Sequence, residues 1–136
     1  MPKPTKSNPL VHPDDGSTKT ILVVDDEAQL LDLYKRVLEQ AGYKVLTALD
    51  GEAVLRLCVS SQAVDVVLMD VVLPGVNGID LLEVVTAEWP KAKIIVSSGQ
   101  MEERFRSSDE IANKPFLPKP VTPAALLSAI SKVLAA

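Results

Sequence analysis

The sequence predicts an α/β fold built on a single doubly wound parallel sheet of five strands. Short runs of aliphatic and β-branched residues alternate along the chain with longer segments whose apolar residues recur at helical spacing. The third run, residues 66–69, is apolar without interruption, which is typical of a strand buried on both faces of a sheet. Because repeated strand-helix units force parallel strands with crossover helices, five such units predict one sheet with helices on both faces.

Local signals define the predicted elements. Gly42 follows the first helical segment and Pro90 the third, which marks where those helices end, and Asp50 is a suitable N-cap for the second. Residues 100–113 contain few core residues and predict a short or frayed helix. In chain order the predicted strands cover residues 20–24, 43–48, 66–69, 92–96 and 116–117, and the predicted helices cover residues 28–41, 50–59, 78–89, 100–113 and 123–134.

Composition limits the classes of protein that this chain can be. Its 136 residues, 47% of them hydrophobic, are enough for one domain with a substantial core. Residues 1–19 are polar and rich in proline, so we expect a disordered tail before a domain at residues 20–136. The single cysteine, Cys58, falls on the apolar face of a predicted helix, which indicates a buried structural residue.

Charge and hydropathy narrow the choice of partners. The net charge of -4 and the lack of a basic stripe argue against direct binding of nucleic acid. No apolar run in the sequence is long enough for a membrane span, and the N-terminal residues lack the apolar core of a signal peptide. We therefore expect a cytoplasmic protein without a membrane partner.

Charged and polar residues follow the predicted strands at the points where the strands end. Asp25 and Asp26 follow the first strand, Asp70 the third, Ser98 the fourth and Lys119 the fifth. Because the carboxyl ends of parallel strands meet at one edge of a sheet, we expect these residues to lie together. Three close carboxylates repel one another unless a cation joins them, and hard oxygen ligands suit Mg²⁺. Lys119 and the Ser98 hydroxyl add the positive charge and the donor that stabilise a transferring phosphoryl group.

Each of these motifs alone has a simpler structural explanation. An Asp-Asp pair after a strand is commonly a helix N-cap, and Ser97-Ser98 alone would be a loop. Lys119-Pro120 alone would be a turn, and Phe116 would be a core residue. Convergence on one edge of the sheet is what favours a functional site.

With these motifs in register, residues 20–134 closely resemble the receiver domain of bacterial two-component response regulators. The resemblance lies in Asp25-Asp26, in Asp70 with the LPGVNG sequence that follows it, in Ser98-Gly99, in Phe116 and in Lys119-Pro120. It implies a flavodoxin-like (βα)5 fold with strand order 2-1-3-4-5. It also implies that the chain accepts a phosphoryl group from a histidine kinase or a histidine phosphotransfer domain and signals to a downstream protein effector.

The resemblance also implies individual roles. Asp70 is expected to be the phosphoacceptor nucleophile, and Lys119 pairs with it or with its phosphate. Mg²⁺ is expected to bind Asp26 directly, Asp25 partly through metal-bound water, Asp70 itself and the main-chain carbonyl of Val72. Ser98 is expected to be the switch hydroxyl, and Phe116 the aromatic residue that turns inward with it. Ser97 has no expected role, because Gly99 after Ser98 matches the small residue that follows the hydroxyl in the family. The Lys119-Pro120 bond is expected to be cis.

Other interpretations share parts of this pattern. A flavodoxin-like electron carrier would need a phosphate-binding loop after the first strand, where the acids at 25–27 would repel the flavin phosphate. A Mg²⁺-dependent phosphatase of the haloacid-dehalogenase type would carry its nucleophile in an Asp-x-Asp pair on the first strand. A receiver that only binds partners is less expected with a complete set of acids. We expect no turnover of a separate substrate, and FLPKP near the C-terminus is similar to receivers of hybrid histidine kinases, so the chain is either such a module or a stand-alone regulator.

Overall fold

Strands and helices alternate along the chain in the structure, a computed structural model that describes residues 18–99 and 109–136. Among these residues the elements are, in chain order, β1 (Thr20–Val24), α1 (Ala28–Gln40), β2 (Lys44–Ala48), α2 (Gly51–Val59), β3 (Val66–Asp70), β4 (Val72–Leu73), β5 (Val76–Asn77), α3 (Gly78–Glu88), β6 (Lys93–Ser98), α4 (Asp109–Ala112), β7 (Phe116–Pro118) and α5 (Pro123–Ala135). Five strands form one sheet in the order β2-β1-β3-β6-β7, and every pairing in it is parallel. The predicted fold and strand order 2-1-3-4-5 are confirmed, since β6 and β7 are the fourth and fifth strands of this sheet.

Alternation of side chains along the strands divides the core into two layers. The α1/α5 face consists of the strand residues that pack against α1 and α5, and the α2/α3 face of those that pack against α2 and α3. On the α1/α5 face lie Ile21, Val23, Val66, Leu68 and Ile95, and on the α2/α3 face lie Leu22, Val24, Val67, Met69, Ile94 and Val96. Both faces of β1 and β3 are buried. This burial explains why their sequences are apolar without alternation.

The helix ends follow the chemistry of their caps. Asp50 accepts a hydrogen bond from the Ala53 N–H at 2.9 Å, so its predicted role as N-cap of α2 is confirmed. Asn77 caps α3 by accepting from the Ile79 N–H at 2.8 Å. Trp89, which follows α3, donates from Nε1 to the Gln62 carbonyl at 2.7 Å.

A short hairpin between β3 and α3 was not predicted. The two-residue strands β4 and β5 pair in the antiparallel direction, with Val72 opposite Asn77. Gly75 lies at the turn between them with φ of 73°, a conformation that glycine adopts without steric cost. The hairpin places a small rigid unit directly after Asp70.

Several predicted boundaries require adjustment. The fourth strand of the sheet continues two residues past the expected end, because Ser97 and Ser98 keep parallel pairing with β7. Cys58, expected to be buried, is partly exposed on α2. Residues 1–17 of the predicted tail lie outside the described residues. Residues 100–108 of the predicted fourth helix also lie outside them, and in the described remainder of that helix Asp109–Ala112 is helical. None of the helices in the described part of the chain has the length and apolar character needed to cross a membrane.

Candidate functional site

Two buried carboxylates and one lysine meet at the carboxyl edge of the sheet. Asp25 continues β1, since its N–H donates to the Ala48 carbonyl at 3.1 Å, and Asp70 is the last residue of β3. Lys119 follows β7, and its Nζ lies 2.7 Å from Asp25 Oδ2 and 2.9 Å from Asp70 Oδ2. The side chains of the three residues are 3%, 7% and 11% exposed for Asp25, Asp70 and Lys119 respectively. The structure thus brings together three residues that the sequence placed at three different strand ends.

The second oxygen of each carboxylate is held by the loop that follows it. Asp25 Oδ1 accepts from the Glu27 N–H at 2.9 Å, and Asp70 Oδ1 accepts from the Val72 N–H at 2.8 Å. These short-range contacts are of the Asx-turn type, in which a side chain fixes the backbone two residues on. Burial of an ionised carboxylate is costly unless its oxygens are satisfied, and here both oxygens of each carboxylate accept a hydrogen bond.

The pKa values of Asp70 and Lys119 move in the same direction for different reasons. Burial raises the pKa of Asp70, and it outweighs the hydrogen bonds from Lys119 and Val72 that lower this pKa, with the charge of Asp25 raising it further. Burial lowers the pKa of Lys119, but its hydrogen bonds to Asp25 and Asp70 and their charges outweigh this effect and raise it. The Lys119 ammonium is stabilised by two carboxylates, whereas Asp25 and Asp70 have this one ammonium between them. Lys119 therefore stays charged at neutral pH, and the two buried anions are only half neutralised.

The same edge offers a set of oxygen ligands for a metal ion. Oxygen atoms of Asp25, Asp26 and Asp70 all lie within 4.8 Å of one another. Asp26 is exposed, so the group is open to solvent on one side. Few carboxylates with room for retained waters and phosphate oxygens are the donor set that Mg²⁺ prefers, and these residues fit it. Val72, expected to add its carbonyl, already holds Asp70 through its N–H, and its role as a ligand stays a prediction.

Two adjacent serines, Ser97 and Ser98, end β6 at this edge of the sheet, and the expected role of Ser98 stays a prediction. In the pairing of β3 with β6, Ser97 lies directly opposite Asp70. Ser97 follows Ile95 at a spacing of two and so shares the α1/α5 face, whereas Ser98 follows Val96 and so shares the α2/α3 face. Both serines are buried, and Ser97 Oγ has no hydrogen-bond partner in the described structure. Ser97 is therefore a second hydroxyl-bearing residue at this edge of the sheet, next to Ser98.

Parity along the strands places Ser97 on the same face of the sheet as the two buried acids. Asp25 lies two residues after Val23, and Asp70 lies two residues after Leu68, so both acids extend the α1/α5 face. Lys119 stands in the same relation to Leu117, which packs against that face. A hydroxyl on the same face must follow Ile95 by two, and only Ser97 does. The antiparallel hairpin after Asp70 had no comparable signal, because each of its strands is two residues long.

Phe116 and Lys119 fall on either side of the last strand of the sheet. Phe116 is 45% exposed and lies opposite Val96 in the pairing of β6 with β7. Its side chain is thus largely exposed in this structure, and its expected inward turn with the switch hydroxyl stays a prediction. The Lys119-Pro120 bond is cis, as expected, and the Lys119 N–H donates to the Ser98 carbonyl at 3.2 Å.

Comparison with known proteins agrees with this geometry. The family model described as "Response regulator receiver domain" matches residues 21–131. The chemotaxis protein CheY of Thermotoga maritima is 34% identical over 118 residues, which cover 85% of this chain and 97% of that protein. The transcriptional regulatory protein CpxR of Escherichia coli is 34% identical over 114 residues, which cover 84% of this chain and 48% of that protein. This chain thus spans about half the length of CpxR.

A solved structure shows the same likeness in three dimensions. The CheY-like response regulator receiver domain protein from Methanospirillum hungatei superposes with a TM-score of 0.78 at 32% identity, covering 88% of this chain and 95% of that one. In this chain the buried acids and the lysine described above lie at the strand ends of a sheet with the order β2-β1-β3-β6-β7. On fold, family match and identity together, the chain belongs to the response regulator receiver domains of two-component signalling.

Proposed function

We propose that this chain accepts a phosphoryl group on Asp70 from the phosphohistidine of a histidine kinase or a histidine phosphotransfer domain. The observation that supports this proposal is the environment of Asp70. Its carboxylate is fixed by the Val72 N–H on one oxygen and by Lys119 on the other, and one of its oxygens lies within 4.8 Å of an oxygen of Asp25 and of an oxygen of Asp26. A fixed nucleophile beside a cation and a set of metal ligands is what phosphoryl transfer requires.

In the proposed step, an Asp70 carboxylate oxygen forms a bond to phosphorus as the P–N bond to the donor imidazole breaks. The electron pair of that bond goes to the imidazole nitrogen, which takes up a proton. Lys119 already donates to Asp70 Oδ2, so its charge is in place for the phosphoryl oxygens without a large movement. Mg²⁺ held by Asp25, Asp26, Asp70 and the Val72 carbonyl would supply further neutralisation of those oxygens.

Beside Ser98, we propose Ser97 as a second candidate for the hydroxyl that responds to the phosphoryl group. Its oxygen is buried, has no hydrogen-bond partner in the described structure and belongs to the residue opposite Asp70. A contact that exists only in the phosphorylated state is what a switch requires, since a ligand shifts an equilibrium only through differential interactions. The signal would then reach a downstream protein effector by a change in the surface of the domain.

We propose further that the chain turns over no separate substrate. Asp70 lies on the third strand of the chain and the adjacent acids follow the first, so no Asp-x-Asp pair follows β1 as in the phosphatase alternative. If no separate substrate is turned over, the product of the reaction is the acyl phosphate on Asp70 itself, which must persist long enough to be measured.

Intact mass tests the proposal directly. The chain is incubated with a small phosphodonor in Mg²⁺, and we expect a mass increase of one phosphoryl group that EDTA abolishes. Asp70→Asn should not gain this mass, whereas Asp80→Asn, which changes an exposed aspartate in the first turn of α3, should gain it like the parent. Retention of the modification in Asp70→Asn would show that another residue accepts the phosphoryl group.

A further inference from the structure

Tyr34 of α1 carries a buried hydroxyl that the described site does not use. The residue is 2% exposed and packs in the layer of the α1/α5 face, together with Leu31 and Leu38 of the same helix. Its Oη has no hydrogen-bond partner within residues 18–99 and 109–136. Burying a hydroxyl without a hydrogen-bond partner destabilises the fold, so a tyrosine in place of a phenylalanine at this position requires a physical explanation.

The position of Tyr34 relates its hydroxyl to the acids. α1 begins at Ala28, three residues after Asp25, so the helix runs away from the carboxyl edge of the sheet. Side chains of a helix tilt toward its N-terminus, which directs the ring of Tyr34 back toward that edge. Asp25, Asp70 and Lys119 extend the same sheet face on which α1 packs. The phenol and the charged groups therefore share one side of the sheet.

Electrostatics indicates that the charges of the site reach Tyr34. Burial is the main cause of its raised pKa, and the negative charge of Asp25 is the next, with Lys119 opposing it. Since the pKa is raised from 10.0, the phenol is protonated at neutral pH and available as a donor.

Tyr43 provides an internal comparison. It is 4% exposed, belongs to the same layer, and its Oη also has no partner in the described structure. It precedes β2 and so lies at the opposite edge of the sheet from the acids. Burial alone raises its pKa. The two tyrosines share burial and an unsatisfied hydroxyl, and differ in whether charged groups of the site act on them.

We propose that Tyr34 is a positioning residue of the phosphoacceptor site, whose hydroxyl donates through a bridging water to the carboxylate of Asp25. The structure shows no direct hydrogen bond between the two, and a buried water that joins polar groups is the usual way to satisfy such a hydroxyl. The contact matters most when Lys119 turns from Asp25 Oδ2 toward a phosphoryl group on Asp70, because Asp25 then needs another donor. This inference rests on the proposed function.

The pair Tyr34→Phe and Tyr43→Phe tests it, since each removes one oxygen and keeps the ring. Calorimetric titration with Mg²⁺ and the rate of mass gain from a small phosphodonor are measured for both variants and the parent. We expect Tyr34→Phe to weaken Mg²⁺ binding by about tenfold, the lower end of the effect of removing a group that orients a metal ligand. Tyr43→Phe should match the parent in both measurements.

Two outcomes would overturn the inference, and they can be told apart. If the parent binds Mg²⁺ and gains the phosphoryl mass but Tyr34→Phe does so equally well, Tyr34 is a structural residue and the proposed function stands. If the parent itself neither binds Mg²⁺ nor gains mass, the proposed function and this inference both fail. Denaturant unfolding of both variants accompanies the titrations, because a purely structural hydroxyl would affect stability without changing Mg²⁺ affinity.

Discussion

Lys119 Nζ lies 2.7 Å from Asp25 Oδ2, slightly closer than the 2.9 Å to Asp70 Oδ2. The lysine therefore pairs with the acid that follows β1 as well as with the acid that ends β3. The contact joins residues that are far apart in the sequence and almost fully buried. It also means that one ammonium must serve two carboxylates. The metal-free site is therefore held together by Lys119 and strained by the repulsion between its two acids.

Removal of Lys119 should destabilise the metal-free protein. Lys119→Met leaves Asp25 and Asp70 buried without their cation, and breaking a buried ion pair from one side costs about 3–5 kcal/mol. Mg²⁺ should restore more stability to this variant than it adds to the parent, because it replaces the missing charge. Urea unfolding with and without Mg²⁺ measures both effects. Lys132→Met, at an exposed lysine of α5, is the control and should change stability by less than about 0.5 kcal/mol.

Asp26 should matter for the metal and little for the fold. Because Asp26 is exposed, its repulsion with the buried acids is screened by solvent, and Asp26→Asn should leave metal-free stability nearly unchanged. The parent should gain about 2.7 kcal/mol at a Mg²⁺ concentration 100 times Kd, and Asp26→Asn should lose most of this gain. Thermal unfolding across a Mg²⁺ series decides the matter, with Asp32→Asn on the exposed side of α1 as the control. An equal gain in Asp26→Asn would remove Asp26 from the ligand set.

Sequence periodicity was sufficient for the fold and for most of the site. Continuous apolar runs identified β1 and β3 because both of their faces are buried, and parallel connections then required the acids and Lys119 to meet at one edge. Periodicity could not tell which of Ser97 and Ser98 shares the face of the acids, because a shift of one residue moves a side chain to the opposite face and a Ser-Ser pair looks the same in either register. Register is fixed by pairing with β3, which the sequence alone does not contain.

Gly78, which follows the hairpin after Asp70, should not tolerate a side chain. A Cβ atom at position 78 would overlap the carbonyl oxygen of Val71 and lie 2.8 Å from its carbonyl carbon, and backbone atoms cannot move aside as a side chain can. Gly78→Ala should cost about 3 kcal/mol in unfolding free energy, the upper end of the usual cost of overpacking. Gly75→Asn is the matched control, since nothing lies within 4 Å of a Cβ there and asparagine accepts a positive φ. A Gly78→Ala protein as stable as Gly75→Asn would contradict the close approach.

The raised pKa of Asp70 predicts the sign of a pH effect. Burial, the largest cause, raises the pKa of Asp70 in the folded protein above its ordinary value, so protonation of Asp70 favours the folded state. The contribution is complete below the unfolded pKa and is lost as pH rises through the folded pKa. In EDTA, the unfolding free energy of the parent relative to Asp70→Asn should therefore fall as pH rises from about 4. Urea unfolding from pH 4 to 7 measures it, and a difference that grows with pH would show that the Lys119 pairing outweighs burial.

Replacing Ser97 and Ser98 one at a time distinguishes the two possible switch hydroxyls. Ser97 Oγ has no hydrogen-bond partner in the described structure, and a phosphoryl oxygen on Asp70 that came within reach would give it one. A hydrogen bond to a charged group is worth about 1.5–3 kcal/mol, which should appear as added stability of the modified state. Ser97→Ala should therefore accept phosphate but lose about this much of the stability that the parent gains on binding beryllofluoride with Mg²⁺, a mimic of the phosphoryl group.

Ser98→Ala is the matched variant for this measurement. Ser98 shares the α2/α3 face with Val96, so its removal should lower the stability of both states together and leave the gain on beryllofluoride binding intact. Unfolding free energies of the free and beryllofluoride-bound forms of both variants form a cycle that isolates each hydroxyl. Loss of the gain in Ser98→Ala alone would support Ser98, the residue expected from the sequence, as the switch hydroxyl. Loss in neither variant would mean that the phosphoryl group is sensed through Lys119, the one charged donor that Asp70 already has in the described structure.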